Sequence, residues 1–326
     1  MRAPFAGYRV LDLSAQAAQL PHALAVAMAA QLAARFGAEV VRPAAEGDLL
    51  TGLPPLLPDG GSALTRFLLA GRSATATGPF HAAIGDSGAL AAAEAPLKVR
   101  VSVFAAGDDP PMSELGLMAL SGILAAVQPR QGLPARLGGH QAAYAGGLSA
   151  FTALAAGLRA GVPDTADVSL FDVACWLNWK AAASVLLLGE EAAGRQQRGD
   201  WHTLPARDGD VCLVYMAKDW PALRDMVGDP RLLEPRFATQ KGRGEHLAAL
   251  DAILMPWFAS RSRAEITAAA QARRIPVGPV LTPRELLTDR QYAARRFLAA
   301  DGTPRLPLLW NGAPPEWNRG ALDNAA

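Results

Sequence analysis

A strand, helix, glycine and strand follow one another near the N-terminus, and this succession limits the fold more than any other feature of the chain. Tyr8-Arg9-Val10-Leu11-Asp12-Leu13 is a short β-rich run. An alanine-rich helical stretch starts near Pro21, and Gly37 precedes a second β-rich run, Ala38-Glu39-Val40-Val41-Arg42. Such a βαβ unit makes its two strands parallel and joins them by a right-handed crossover. A third strand is expected at Val99-Arg100-Val101-Ser102-Val103-Phe104. The expected fold class is α/β, with a Rossmann-like parallel-sheet large lobe and a smaller α+β lobe.

Between the second and third strands, Pro43 to Leu97 is rich in Pro, Gly, Ala and Ser, and reads as a long loop with one helix near Ser62–Leu69. From Gln141 to about Glu190 the pattern is helical. It is rich in small residues around Ala145-Gly146-Gly147, which suits close helix packing, and it is broken at Gly161-Val162-Pro163-Asp164. After that break, Ala166-Asp167-Val168-Ser169-Leu170 reads as a short strand or a helix entry, and another helix runs through Trp176 and Trp179. Gly194 to Asp200 is basic and polar, as a linker would be. Beyond it come a turn at Asp208-Gly209, a strand at Val211–Tyr215 and helices near 220–227, 245–260 and 263–273. The expected boundaries are 1–195 for the large lobe, 196–303 for the smaller lobe and 304–326 for a proline-rich tail that returns to the large lobe.

With 326 residues the chain has enough length for a large core. Its net charge of +1 gives no broad electrostatic attraction to nucleic acid or a membrane surface, so neither is expected as a partner. Cys175 and Cys212 lie in apolar runs without paired spacing and are expected to be buried thiols in a reducing compartment. No metal site is expected. Leu20 to Phe36 is apolar but carries His22, Gln31 and Arg35, and so reads as a buried helix. The N-terminus lacks a signal pattern, and a cytoplasmic protein is expected. Neither Asp59-Gly60-Gly61 nor Gly138-Gly139 makes a phosphate loop, so no nucleoside triphosphate or nicotinamide cofactor is implied.

Glu114 is a lone acid heading an apolar helix, in Ser113-Glu114-Leu115-Gly116-Leu117-Met118-Ala119-Leu120-Ser121-Gly122. A carboxylate there is either a cap, suited to free amides and the helix dipole, or a nucleophile. His140, between Gly138-Gly139 and a helix, is a second candidate, as an acid–base group or as a turn and cap residue.

An ordered series of segments resembles the class III CoA-transferase family, the group of formyl-CoA and carnitine CoA-transferases and methylacyl-CoA racemases. Arg9–Ser14 resembles its opening strand, and Phe36–Arg42 its "LGAEVIK" segment. Glu114–Gly122 is similar to its "D-L-x-x-Q-A-x-S-G" helix, and Ala166–Asp172 to "VDVSLLEA". Farther on, Arg236-Phe237-Ala238-Thr239 resembles "DPRFATN", Ile275–Val280 resembles "GVPAGPVNT", and Arg295-Arg296-Phe297 resembles "ARGFF". The chain departs from the pattern in four places. Phe104–Pro110 is compressed, Ala17–Pro21 replaces the usual "AGP", and the stretches between Arg72 and Lys98 and at the C-terminus are short.

The resemblance implies that Glu114 occupies the position of the nucleophilic aspartate and takes up an acyl group as a mixed anhydride. It implies CoA contacts for Arg42 and Arg72, and on the same grounds for Lys98 and Arg100. Guanidinium forks match phosphate oxygens, although solvated surface arginines are the plainer reading. It also implies an acyl-CoA thioester as substrate with no tightly bound cofactor, a small carboxylic acid as acceptor, and an interlocked homodimer. Two alternatives stay open. One is an acyl-CoA racemase or isomerase, with Glu114 and His140 abstracting a proton. The other is a degenerate family member that serves as a partner subunit. Trp201-His202 and Tyr215-Met216 read either as the lining of an acyl pocket or as packing.

Overall fold

The computed structural model describes residues 3–75, 78–104, 109–127, 135–161, 163–189, 201–300 and 302–315. The expected linker at 194–200, the boundary at 195/196 and tail residues 316–326 lie outside the described residues. The chain divides into two compact units, one of Met1–Leu187 with Leu298–Ala326 and one of Leu188–Phe297.

In the first unit the chain runs β1 (Arg9–Asp12), α1 (Leu20–Arg35), β2 (Glu39–Val41), α2 (Ala63–Leu69), β3 (Ala82–Gly85), α3 (Ser87–Leu90) and β4 (Leu97–Ser102). It continues through α4 (Glu114–Leu120), α5 (Ile123–Ala126), α6 (Gln141–Ala160), β5 (Asp164–Ser169), α7 (Leu170–Leu177) and α8 (Trp179–Leu188). The five strands form one sheet in the order β2-β1-β3-β4-β5, every pair parallel. Alternation along the strands sorts residues between its faces. Val10, Val40, Ala82, Ile84, Val99 and Val101 join alanines of α1 and Ala150, Leu154 and Leu158 of α6 in the main core. On the other face Leu11, Ala83 and Leu90 make a smaller cluster.

The order reverses direction at β1, which has β2 on one side and β3 on the other. The carboxyl ends of β1 and β3 therefore flank the switch point, where open α/β sheets leave a crevice for ligands. Strand β3 falls inside the stretch expected to be loop. Of its residues, Ala82-Ala83-Ile84-Gly85, only Ile84 favours a strand, and all four are buried at the centre of the sheet, so tertiary pairing makes the strand. Helix α2 lies where a helix was expected, started by the Ser62 hydroxyl accepting from the Thr65 amide.

Helices α1 and α6 cross closely because their facing residues are small. A Cβ added at Gly147 would lie 2.6 Å from the Met28 Cβ and 2.8 Å from the Ala25 carbonyl oxygen. Gly37, at φ +97°, turns the chain from α1 into β2, and a Cβ there would meet that of Ala3.

The second unit contains β6 (Trp201–Ala206), β7 (Gly209–Val214), α9 (Trp220–Val227), α10 (Gln240–Glu245), α11 (Leu247–Ala259), α12 (Arg263–Gln271), β8 (Val277–Pro279), α13 (Pro283–Leu286) and α14 (Arg290–Arg295). Its sheet is antiparallel, β6-β7-β8. Cys212 is exposed rather than buried, because alternation on β7 turns Val211 and Leu213 inward and Cys212 outward. Cys175 is partly buried. Among the described residues no single helix is long and apolar enough to cross a membrane.

Gly147→Ala is expected to destabilise the protein by about 1–3 kcal/mol through overpacking, although alanine favours a helix by about 1 kcal/mol over glycine. Urea unfolding followed by circular dichroism measures the balance, and a variant as stable as the parent would refute the close contact.

Candidate active site

Ser113 and Glu114 divide the capping work between two helices. The Ser113 hydroxyl accepts from the Gly116 amide and caps α4, the helix these residues open. Glu114 reaches away from it. Its Oε1 accepts from the Ala142 amide at 2.7 Å and its Oε2 from the Ala143 amide at 3.2 Å. Both amides belong to the first turn of α6, whose own N-cap residue, His140, makes no side-chain cap. A buried carboxylate on two free amides at the positive end of a long helix is well stabilised. Each oxygen retains a second lone pair, so this anchorage leaves the carboxylate able to attack.

His140 lies at the same helix start, with its ring edge-to-face on Tyr144 at 6.1 Å between centroids. Among the described residues no hydrogen bond or ion pair joins His140 to Glu114. Burial, and after it the Glu114 charge, push the Tyr144 phenol above its ordinary range. Tyr144 thus belongs to the surroundings of Glu114, although sequence reasoning did not single it out.

The segment leading into Glu114 is tied to the start of α1. Gln19 accepts from the Met112 amide at 2.7 Å and donates to the Pro110 carbonyl at 3.1 Å. Close by, His22 is buried on the first turn of α1, with Nδ1 3.8 Å from Asp86 and Nε2 3.3 Å from Asp109. Asp86 follows β3, at the switch point, and accepts from the amides of Ala18 and Ala89 at 2.8 and 2.9 Å. Burial alone would raise the Asp86 carboxyl, but His22 and these two amides outweigh it and hold the group at about 2. His22, noted in the sequence only as a polar residue within an apolar helix, is the main residue that sequence reasoning missed. The available signal was topological, since His22, Asp86 and Asp109 all follow the carboxyl ends of neighbouring strands.

The four expected CoA cations have different surroundings. Arg42, just beyond β2, donates from Nε to the Ser14 hydroxyl at 2.8 Å and pairs with Asp48 at 2.8 Å. Arg72 is turned inward, contrary to the expectation that it presents donors to a ligand. Its guanidinium pairs with fully buried Asp12 at 2.7 Å and donates to Gln31 and to the carbonyls of Ala27 and Leu68. Burial draws its pKa down while Asp12 opposes that pull. Lys98 donates to the Leu90 carbonyl near the amino end of β4, away from the switch point. Arg100 makes a two-pronged pair with Asp167, directly opposite it on β5, at 2.5 and 2.7 Å. In the second unit, His202 is buried with Nδ1 2.6 Å from Asp251 and its ring stacked on Tyr215. These two residues pack inside that unit.

The family model described as CoA-transferase family III matches residues 104–324. A succinyl-CoA–D-citramalate CoA-transferase of Chloroflexus aurantiacus is 25% identical over 201 residues, covering 59% of this chain and 49% of that one. A probable CoA-transferase of Mycobacterium tuberculosis is 30% identical over 195 residues, covering 55% of this chain and 24% of that one. The chain thus spans about half or less of the length of these curated relatives. Among solved structures, a CAIB/BAIF family protein from Brucella suis shares the fold, with TM-score 0.76 and 20% identity over 98% of this chain and 95% of that one.

The depressed Asp86 carboxyl sets an expected pH dependence. Its contribution to stability is complete above the ordinary value of 3.8 and is lost as pH falls through about 2. Asp86→Asn should therefore cost on the order of 2 kcal/mol near neutral pH, a gap that closes toward acid in denaturant titrations at a series of pH values. A gap independent of pH would contradict the assignment.

Proposed function

The chain belongs to CoA-transferase family III, and from that membership we propose that it is a cytoplasmic enzyme moving CoA from an acyl-CoA thioester to a small carboxylic acid through an acyl group held on Glu114. The observation that carries this reading is the buried carboxylate of Glu114, fixed by two helix amides, on a segment that resembles the family's helix headed by the nucleophilic aspartate. A Glu114 oxygen attacks the thioester carbon, the carbon–sulfur bond breaks, and CoA leaves as the thiolate with the electron pair. The acyl group stays on Glu114 as a mixed anhydride; the CoA thiolate then attacks the Glu114 carbonyl, the donor acid leaves as its carboxylate, and CoA is held on Glu114 as a thioester. An acceptor carboxylate then enters by the same two steps in reverse: it attacks that thioester and expels the thiolate, which attacks the acceptor's carbonyl, so that CoA leaves on the acceptor and Glu114 returns as a carboxylate. The amides of Ala142 and Ala143 hold the carboxylate in one position before attack, where a misplacement of about 1 Å can cost about a hundredfold. Of the four cations, this reading retains Arg42 for the CoA phosphates and assigns Arg72, through Asp12, to supporting the end of β1. Small dicarboxylic substrates are the first to try, given the relative named for succinyl-CoA and D-citramalate.

One observation favours a rival reading. Both Glu114 oxygens are already engaged by α6, as a purely capping residue would be, and a family member without chemistry of its own would look the same. Intact-mass measurement after incubation with succinyl-CoA and a panel of other acyl-CoA thioesters, with hydroxylamine trapping, separates the two. The expected result is an adduct on Glu114 in the parent and none in Glu114→Gln or Glu114→Ala. Glu114→Ala should in addition lose about 1–3 kcal/mol of stability, because it strands two amides. A parent protein that forms no adduct and exchanges no CoA would leave the capping role alone.

The homodimer belongs to the same reading. Trp176, Leu177, Trp179, Leu186 and Leu187 of α7 and α8 are exposed, Trp176 to 76% and Leu186 to 84%, which is much apolar surface for two adjacent helices to leave in water. Light scattering at micromolar concentration should give twice the chain mass, and a monomer would reject it.

A further inference from the structure

We propose that His22 is a positioning residue which, as an imidazolium, bridges Asp86 and Asp109 and so clamps the segment 109–113 that presents Glu114 to α6. The consequence for catalysis rests on the reading of Glu114 as the reacting carboxylate, whereas the clamp does not.

His22 is 1% exposed, and each ring nitrogen faces a different carboxylate. Neither nitrogen forms a hydrogen bond among the described residues, the two carboxylates included, so the pairing rests on charge. A neutral imidazole has one N–H and one lone pair. With a carboxylate oxygen on both sides, the neutral ring always turns its lone pair toward an anion, and only the imidazolium offers a proton to each.

The carboxylates are themselves anchored. Asp86, at the junction of β3 and α3, is held by the Ala18 and Ala89 amides, and Asp109 by the Phe104 amide just past β4. Among the described residues these are the charged groups that contact the ring. They sit on opposite sides of it and do not converge on one point, so the cluster is not a metal chelate, and no metal-holding group is found among the described residues. The imidazolium therefore joins three pieces of chain: the start of α1, the end of β3 and the approach to α4. When the proton leaves, the Gln19 bonds to Pro110 and Met112 remain, so the segment loosens without detaching.

Hydrogen exchange of amides 109–120, corrected for intrinsic rates, tests this at about pH 5.5 and about pH 8.5. Protection in the parent should fall about tenfold toward the higher pH while amides 146–158 stay unchanged. His22→Gln should show the weaker protection at both values, and Asp109→Asn, which keeps His22 in place, should do the same if His22→Gln folds poorly. Protection in the parent that does not change with pH, or a pH dependence that survives in either variant, overturns the clamp. Acyl capture by the same samples is scored separately. A working clamp in a protein that captures no acyl group would reject the transferase reading alone, and acyl capture without the pH-dependent protection would reject the clamp alone.

Discussion

Helix α6 starts without a cap from its own N-terminal residue, and a carboxylate 28 residues earlier supplies what is missing. The first unit is organised by this contact. α6 packs along α1 and over β4, so fixing its start fixes the helical layer on one face of the sheet. Under the proposed chemistry the same group serves both structure and reaction. Acylation turns an anion on the positive end of a helix into a neutral ester-like carbonyl, and the attraction to the dipole weakens at the moment the intermediate forms. The intermediate is thus less firmly held than the resting enzyme, which favours passing the acyl group onward.

Much of the fold was legible because it rests on local signals. The first βαβ unit follows from apolar alternation and Gly37, and the start of α2 from Ser62. The second unit was readable in outline from its turn and helix signals, with β6 and β8 the strands left out. Strand β3 was not legible. Ala-Ala-Ile-Gly has only Ile84 to mark a strand and becomes one between two others. The candidate site shows the same limit. Glu114 stood out because it is an isolated acid in an apolar helix. Its partners, Ala142 and Ala143, contribute only backbone, and no residue type marks a backbone donor. Arg72 was misjudged because a guanidinium in a glycine-flanked loop reads the same whether it faces solvent or a buried Asp12.

The carboxyl edge of the sheet is rich in charge, and most of that charge is committed internally. Asp12 with Arg72, Arg42 with Asp48, and His22 with Asp86 and Asp109 each use a charged group to hold the protein's own chain. Burying such pairs is costly, and they are poor sources of net stability. Their value here is geometric, since they fix the ends of β1, β2 and β3 around the switch point. A ligand entering that crevice meets directed, preorganised groups whose remaining donors are few.

The pair Arg100–Asp167 has a different consequence, which concerns the margin of the sheet. β5 is an edge strand, and its outward residues Asp164, Thr165 and Asp167 are polar. An unpaired edge is a template on which another strand can grow, and charge is one means by which proteins make it unattractive. Asp167 is secured by a cross-strand guanidinium fork and so keeps a carboxylate at this margin. The two positions are therefore tied in any drift of the sequence: losing the arginine alone would leave an unsecured acid, and losing the acid alone would open the sheet to accretion of another chain.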